Sequence, residues 1–353
     1  MNFVKCWYKT MKKNEISVLN VLFCLMVIFI HVTAAPLTGH NTTENVSKIL
    51  FYIQRMCGVA VHGFVFLSSL KLFLKDTSQI NYRKYIKSRL RKIYLPYLIF
   101  VIIYYLFEVT RGFYDFNVSQ LFKFILFGSG ESHFYFIFVI MQFYLLFPLW
   151  RKLLKTNKVG LLLLVAAVIN FVCYCHLPDI LLKIGIHNSY NHGLFTSYIF
   201  VWVLGCVCGK YYDQFVEFIK MHFWKFGIAA LIFFLEDAHI AYKTSLYIEV
   251  YPIGNQLRLL YLYTMIPFMY GLFLVFRPRL LRTELFAKID DATFPIFLFH
   301  IYVIYAVNGF TSSLFKLGQL KMYFVNFILV YSISVTLCVL FKNYIRRSRN
   351  EKL

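Results

Sequence analysis

The sequence has few charged residues for its length, and acidic residues are the scarcest of them. Only 15% of the 353 residues are charged, and 16 Asp and Glu stand against 37 Lys and Arg. Soluble domains usually carry about a quarter charged residues. In contrast, 60% of the residues are hydrophobic, with 40 Phe and 27 Tyr among them. A soluble fold cannot bury so much apolar surface, so the composition excludes a soluble globular protein and favours one that lies in lipid.

The sequence also lacks the cysteine patterns of metal sites and disulfide frameworks. It has eight cysteines, and the closest pairs, Cys173/Cys175 and Cys206/Cys208, are two residues apart. Side chains at that spacing lie on different faces of a helix. We interpret the cysteines as packing residues. No cluster of His, Cys, Asp or Glu has ligand spacing, so we expect no metal.

The positive charge is spread along the chain and does not form one basic patch. The formal net charge is +21, which by itself could indicate a nucleic-acid partner. The basic residues instead fall in short clusters between apolar runs, as in proteins whose loops are sorted by charge across a membrane. We therefore expect no nucleic-acid binding.

Ten apolar runs predict ten membrane helices, because a segment in lipid must satisfy its own backbone hydrogen bonds and needs about 20 residues to cross. The seventh is the least certain, since its apolar core is followed by Glu236 and Asp237. We predict an all-α, polytopic fold and a single membrane-embedded domain over residues 1–353. The predicted spans are 18–35, 52–70, 93–107, 134–150, 160–174, 196–208, 224–240, 259–276, 293–307 and 323–341.

The distribution of Lys and Arg supports ten spans with both termini in the cytoplasm. In that arrangement 28 of the 37 basic residues lie on the cytoplasmic side, as the positive-inside rule requires. Removing the seventh span would place Arg277 and Arg279 on the outer side. We therefore keep it.

His31 is the residue in the first span that could carry chemistry. An ionisable group in a membrane helix is costly and by default suggests function, and imidazole titrates near neutral pH. The alternative is a neutral imidazole that only bonds to a neighbouring helix. Asn20 lies eleven positions earlier, on nearly the same helix face and about 16 Å away. One polar stripe could therefore run from the cytoplasmic mouth towards His31.

Several segments, in order along residues 15 to 305, resemble the acyltransferase-3 superfamily of integral membrane acyltransferases. The first helix of that family has an Arg, ten residues and a His, and here Asn20 stands at the Arg position. Within the superfamily the chain is most similar to the branch of poly-N-acetylglucosamine intercellular adhesion membrane proteins. The other similar segments are Phe64-Val-Phe-Leu-Ser-Ser-Leu, Arg89-Leu-Arg-Lys-Ile-Tyr-Leu-Pro-Tyr, His133-Phe-Tyr-Phe-Ile-Phe and Thr293-Phe-Pro-Ile-Phe-Leu-Phe-His.

The resemblance implies transfer of an acyl group from cytoplasmic acyl-CoA to a hydroxyl of an extracytoplasmic cell-surface polysaccharide. The acyl group would be acetyl, with succinyl as an alternative, and the protein would lie in a bacterial cell membrane. Glycan-synthesis machinery and membrane lipid are expected partners. The implied site has His31 as catalytic base. Donor-binding roles fall to Asn20, Arg89, Arg91 and Lys92, and acceptor or supporting roles to Arg55, Ser68, His133 and His300.

The sequence leaves two alternative functions open. The chain could export a glycan or a lipid-linked sugar, which requires a continuous polar route and often broken helices. It could also be a structural partner in a biosynthetic complex, in which case His31 would be dispensable. The basic residues assigned to the donor could equally set topology and meet anionic lipid. Asn20 in place of Arg leaves open how the donor is bound.

Overall fold

A computed structural model describes residues 14–38, 45–75, 77–155, 158–183, 193–245, 253–276, 283–314 and 319–350. Across these segments the regular structure is helical and contains no β-strand. The predicted all-α class is confirmed. The predicted cytoplasmic termini, through Lys13 and from Glu351, lie outside the described residues, as do Arg277 and Arg279.

The described chain forms fifteen α-helices, a π-helical turn at Leu90–Tyr94 and a 3₁₀ turn at Phe195–Tyr198. The α-helices are α1 Asn14–Thr38, α2 Asn45–Cys57, α3 Val59–Phe73, α4 Tyr82–Arg89, α5 Leu95–Thr110, α6 Val118–Phe127, α7 Tyr135–Leu145, α8 Phe147–Leu153, α9 Val159–Cys175, α10 Leu177–Lys183, α11 Ile199–Lys210, α12 Tyr212–Ser245, α13 Gly254–Phe276, α14 Glu284–Leu314 and α15 Gln319–Asn350.

Seven helical segments of the described chain are long and apolar enough to cross a membrane. The bent pair α7–α8 would make an eighth. Helix α9 and the run Phe195–Lys210 are shorter apolar helices that coincide with the predicted spans 160–174 and 196–208. The polytopic membrane fold is confirmed, and the count of about ten stays a prediction. The seven segments are Glu15–Ala34, Ser47–Phe73, Tyr82–Thr110, Tyr212–Ser245, Gly254–Phe276, Glu284–Leu314 and Lys321–Ser348.

The structure changes the shape of two predicted spans. The span predicted at 134–150 bends by 56° between α7 and α8. Pro148 lies in the first turn of α8, where its missing N–H is tolerated because a helix start leaves that donor unused. The span predicted at 52–70 begins earlier, at Ser47. It is interrupted by a turn at Gly58 between α2 and α3.

The described residues form two compact units. Unit 1 comprises those of Met1–Phe64 and Val216–Leu353, and unit 2 comprises Val65–Phe215. Unit 1 contains α1, α2, most of α12 and α13 to α15, whereas α4 to α11 belong to unit 2, and α3 is divided between the two units after Phe64. The single domain over 1–353 stays a prediction.

In unit 1 the helix directions follow from side-chain contacts. Asn20 bonds to Asp290 and Thr293, and His31 lies beside His300, so α1 and α14 run in parallel. Helix α15 runs against α14, because Thr311 bonds to Asn326 near one end of the pair and Lys342 lies 3.8 Å from Asp291 near the other. The start of α1 and the end of α15 therefore lie on the same side. That this side is cytoplasmic stays a prediction.

Candidate functional site

The two histidines of the first and late spans lie side by side in unit 1. The ring centroids of His31 and His300 are 5.2 Å apart, with the rings tilted by 44°. His300 is fully buried, whereas His31 is half-buried. Two residues singled out separately in the sequence thus form one pair of imidazoles.

The backbone of α14 fixes which nitrogen of His300 carries a proton. His300 Nδ1 lies 2.8 Å from the carbonyl oxygen of Phe297. A carbonyl can only accept, so Nδ1 donates, and Nε2 of the neutral ring is then an acceptor. Locking one tautomer through a backbone carbonyl is how proteins orient histidines for proton transfer or ligation. His300 is therefore held as a hydrogen-bond acceptor through Nε2.

A polar group from α2 supports α1 one residue before His31. Gln54 Nε2 donates to the carbonyl oxygen of Ile30 and to Thr33 Oγ1, both at 3.0 Å. Thr33 Oγ1 in turn donates to the carbonyl oxygen of Phe29 at 2.7 Å. These bonds fix the turn of α1 that carries His31. Gln54 was not singled out from the sequence, although an amide in an apolar span is a detectable signal.

Asn20 is bound to α14 at the other end of the polar stripe. Its Nδ2 donates to Asp290 Oδ1 and to Thr293 Oγ1, both at 2.9 Å. The amide at this position therefore faces a carboxylate. Asn20 and His31 both face α14, as expected if one stripe joins them. The donor-binding role of Asn20 stays a proposal.

Arg55 forms part of a buried ion cluster with Asp237 and Arg258. Arg55 Nε and Nη2 donate to the two carboxylate oxygens of Asp237 at 2.9 and 2.7 Å. Arg258 Nη1 donates to Asp237 at 3.1 Å and to the carbonyl oxygen of Arg55 at 2.8 Å. The Asp237 side chain has no solvent exposure, and that of Arg258 is 8% exposed. Two cations thus share one carboxylate, and the cluster carries one net positive charge.

Ser68 and His133 belong to unit 2. Ser68 is half-buried on α3. His133 is buried just before α7, where its ring lies 4.3 Å from that of Phe134 and 6.1 Å from that of Tyr104. An imidazole in such an aromatic setting packs as part of the core of that unit. The acceptor role predicted for both residues stays a proposal.

The three basic residues assigned to the donor differ in their surroundings. The Arg89 guanidinium lies near two aromatic rings, 5.0 Å from the centroid of Tyr85 and 4.6 Å from that of Tyr144, and the planes of these rings are 85° apart. Cation–π contact with both rings restricts the position of the side chain. Arg91 and Lys92 are exposed on the π-helical turn. Pro96 follows that turn and cannot donate a backbone bond to it.

Within the described segments, no group of three or more His, Cys, Asp and Glu lies in a position to hold a metal ion. The two clearest cavities of those segments are lined by residues of unit 2 and do not include His31. A passage leading to His31 stays a prediction. The arrangement in unit 1 can hold and move a proton at His31 and His300.

The fold defines a multi-pass helical membrane protein, and two neighbouring histidines, His31 and His300, lie inside its helix bundle. A family model described as an acyltransferase domain matches residues 13–342 of the chain. The chain belongs to this acyltransferase-3 family, which confirms the resemblance seen in the sequence. It is a multi-pass bacterial membrane protein with an acyltransferase domain.

Curated relatives from two staphylococcal species carry the same name. A probable poly-beta-1,6-N-acetyl-D-glucosamine export protein of Staphylococcus aureus strain MSSA476 is 27% identical over 215 residues, covering 59% of this chain and 60% of the relative. A protein of the same name from Staphylococcus epidermidis is 21% identical over 313 residues, covering 86% and 84%. The S. aureus alignment thus spans less than two thirds of that relative. No solved structure matches the chain.

Proposed function

We propose that the protein is an integral membrane O-acyltransferase that moves an acyl group from cytoplasmic acyl-CoA to a hydroxyl of an extracytoplasmic polysaccharide. Acetyl is the first choice of acyl group and succinyl the second. The observation that carries the proposal is the contact between His31 and His300 inside a protein of the acyltransferase-3 family. A pair of imidazoles is costly to place in a membrane helix bundle, and proton transfer is a reason to keep it there.

In this proposal His31 is the general base. It accepts the proton of the acceptor hydroxyl as that oxygen attacks the thioester carbonyl. A carbon–oxygen bond forms, the carbon–sulfur bond breaks, and the proton passes from His31 to the leaving thiolate. Proton transfer by a placed side chain is worth about 10²–10⁴ in rate. No metal is needed for these steps.

His300 is proposed as the positioning residue for His31. Its Nδ1 bond to the Phe297 carbonyl supports an acceptor role for Nε2. An acceptor beside His31 would hold the His31 ring in one tautomer and orientation, and stabilise the imidazolium that forms when the proton arrives. This arrangement gives the buried histidine a role without contact to substrate.

Donor and acceptor contacts extend the proposal to the other assigned residues. Asn20 would meet the donor near the cytoplasmic start of the stripe, and Arg89, with Arg91 and Lys92, would hold its phosphates. The two cation–π contacts of Arg89 support this role, because they restrict the position of a guanidinium that can bind phosphate through two N–H groups. Arg55, Ser68 and His133 would act on the acceptor side. Glycan-synthesis proteins are the proposed partners.

A second candidate is export of the polysaccharide. The observation that favours it is the export function in the names of the staphylococcal relatives. Export needs a polar route for sugars. It adds no acyl ester to the polysaccharide. The two functions therefore separate by the chemistry of the polysaccharide.

The test compares surface glycan from cells that carry the wild-type protein, His31→Ala or His31→Gln. Mass spectrometry before and after mild alkali measures acyl esters and their mass. We expect ester in wild type and a loss of at least about 100-fold in both variants. The control is His239→Ala, an exposed histidine of α12 in unit 1, which should leave the ester content unchanged.

Membrane levels and monodispersity of each variant must match those of the wild type. Glycan that reaches the surface without ester in the wild type would favour export. Ester content that persists in folded His31→Ala would contradict the catalytic role.

A further inference from the structure

Unit 2 contains a cavity lined by basic residues that none of the assigned roles uses. Its volume is about 510 Å³. Four cationic side chains are among the residues that line it. A cavity of this size accommodates a phosphate group together with part of the molecule that bears it. The four are Lys75, Arg151, Lys155 and Lys210.

The four cations come from three separate parts of the chain. Lys75 follows α3, Arg151 and Lys155 lie at the end of α8 and just after it, and Lys210 ends α11. Like charges repel each other, and a low-dielectric wall strengthens the repulsion. Folding that gathers them around one cavity therefore creates a site where an anion is favourable.

Backbone carbonyls hold two of these cations in place. Lys210 Nζ donates to the carbonyl oxygen of Leu154 at 2.6 Å. Arg151 Nη1 lies 3.4 Å from the carbonyl oxygens of Thr77 and Ile80. Neutral carbonyls fix the side chains without cancelling their charge. Each side chain has further N–H groups beyond those in these bonds.

The other two cations, Lys75 and Lys155, are exposed. Thr77 and Ser78 also line the cavity. Ammonium, guanidinium and hydroxyl groups together are the donor set that binds phosphate oxygens.

We propose that this basic cavity binds a phosphate group of an anionic ligand. The ligand is either the headgroup of an anionic membrane lipid or a soluble phosphorylated compound, since both present the same oxygens. Sorting of charge across the membrane explains why basic residues lie at helix ends. It does not explain why three separate chain segments line one concave site with hydroxyls beside the charges.

The test uses the full-length protein in nanodiscs, with the double variant Lys75→Gln and Lys155→Gln. Both residues are exposed, so the fold should tolerate the change. The matched control is Lys87→Gln with Lys152→Gln, which removes the same charge from exposed positions of unit 2 that do not line the cavity. One arm measures binding of inorganic pyrophosphate by calorimetry in phosphatidylcholine discs. The other measures retention of phosphatidylglycerol by native mass spectrometry.

We expect at least a tenfold loss of binding in the cavity variant in one arm and a change of less than twofold in the control. Loss in the pyrophosphate arm identifies a soluble ligand, and loss in the phosphatidylglycerol arm identifies a lipid. Equal losses in cavity variant and control would overturn the proposal, as would wild-type binding by the cavity variant. Absence of binding in both arms by the wild type would also overturn it.

A second measurement needs no variant. The wild-type protein is acetylated chemically with acetic anhydride, and mass spectrometry measures the rate at each lysine. The rate at Lys75 and Lys155 should fall at least threefold when the probe that bound, pyrophosphate or phosphatidylglycerol, is present. Lys87 should be modified at the same rate in both conditions. Equal protection of all three lysines, or of none, would contradict a site in this cavity.

Discussion

Arg55 holds both carboxylate oxygens of Asp237, with N···O distances of 2.9 and 2.7 Å, and so ties α2 to α12 in unit 1. Arg258 on α13 adds a third helix through its own bond to Asp237. A buried carboxylate between two guanidinium groups has a large desolvation cost, which its hydrogen bonds offset. Removing one member of the cluster should therefore destabilise the protein strongly, because it leaves the remaining charges without their partner.

We predict that Asp237→Asn destabilises the protein by about 3 kcal/mol, because the buried Arg258 and the half-buried Arg55 lose their shared counter-charge. Thermal unfolding of the purified protein in nanodiscs measures the change. Glu236→Gln is the control, since Glu236 is exposed on the same helix, and it should change stability by less than about 0.5 kcal/mol. Equal stability of the two variants would show that the cluster contributes nothing.

We predict that a substitution of His300 lowers acyl transfer less when the new side chain keeps a polar atom at the position of Nε2. His300→Asn keeps a donor near Nδ1, whereas His300→Gln keeps a polar atom near Nε2. If Nε2 orients His31, Gln should retain at least tenfold more ester formation than Asn. Rates measured against pH separate this role from packing, because only a positioning residue should shift the profile set by His31. Equal losses with unshifted profiles would mean that His300 is structural.

We predict that the hydrogen bond to Asp290 determines which substitutions of Asn20 leave the protein stable. Asn20→Asp places a second carboxylate beside Asp290 and should lower the free energy of unfolding by about 1–3 kcal/mol. Adding Asp290→Asn to that variant should restore most of this free energy. Thermal unfolding of the two single variants and the double variant gives the coupling energy as a double-mutant cycle. Asp291→Asn is the matched control, because the Asp291 side chain is 65% exposed. A cycle without coupling would contradict the contact.

In unit 2 we predict that Gly205 and Gly209 are needed for close packing of α11 against α3. A Cβ at Gly205 would meet Ser69 Oγ and the carbonyl oxygen of Phe66, and one at Gly209 would lie 2.6 Å from the carbonyl oxygen of Leu70. Backbone atoms cannot move aside as a flexible side chain can. Gly205→Ala and Gly209→Ala should each destabilise by about 1–3 kcal/mol.

Thermal unfolding of these variants should be compared with that of Gly160→Ala. A Cβ at Gly160 meets no atom within 4 Å, so this variant should be neutral or slightly stabilised through its higher helix propensity. If Gly205→Ala were equally neutral, the helices would not pack as closely as the structure indicates.

Helix type and most helix positions were predictable from the sequence, because long apolar runs in lipid have few alternatives. The weak seventh span is a membrane-length helix, Tyr212–Ser245. The bend after Leu145 was not predicted, although Pro148 was a visible reason for it. The spacing of Gly205 and Gly209, four residues apart in an apolar helix, was an overlooked packing signal.

The candidate site was predicted as single residues rather than as contacts. His31 and His300 were both singled out, but hydrophobic runs do not specify which helices are neighbours. In the sequence Asp237 only follows the apolar core of the seventh span, and Arg258 was not singled out, because sequence position alone does not show that the two share a buried contact. Long-range pairing required the three-dimensional structure.

The shared direction of α1 and α14 constrains how the chain between them is threaded. A polypeptide that leaves one leaflet at Thr38 and re-enters the opposite one at Glu284 must traverse the bilayer an odd number of times in between. The four membrane-length helices in that stretch supply an even number of crossings if each of them spans. The rest of the stretch, which contains the bent pair and the shorter apolar helices, must then supply an odd number.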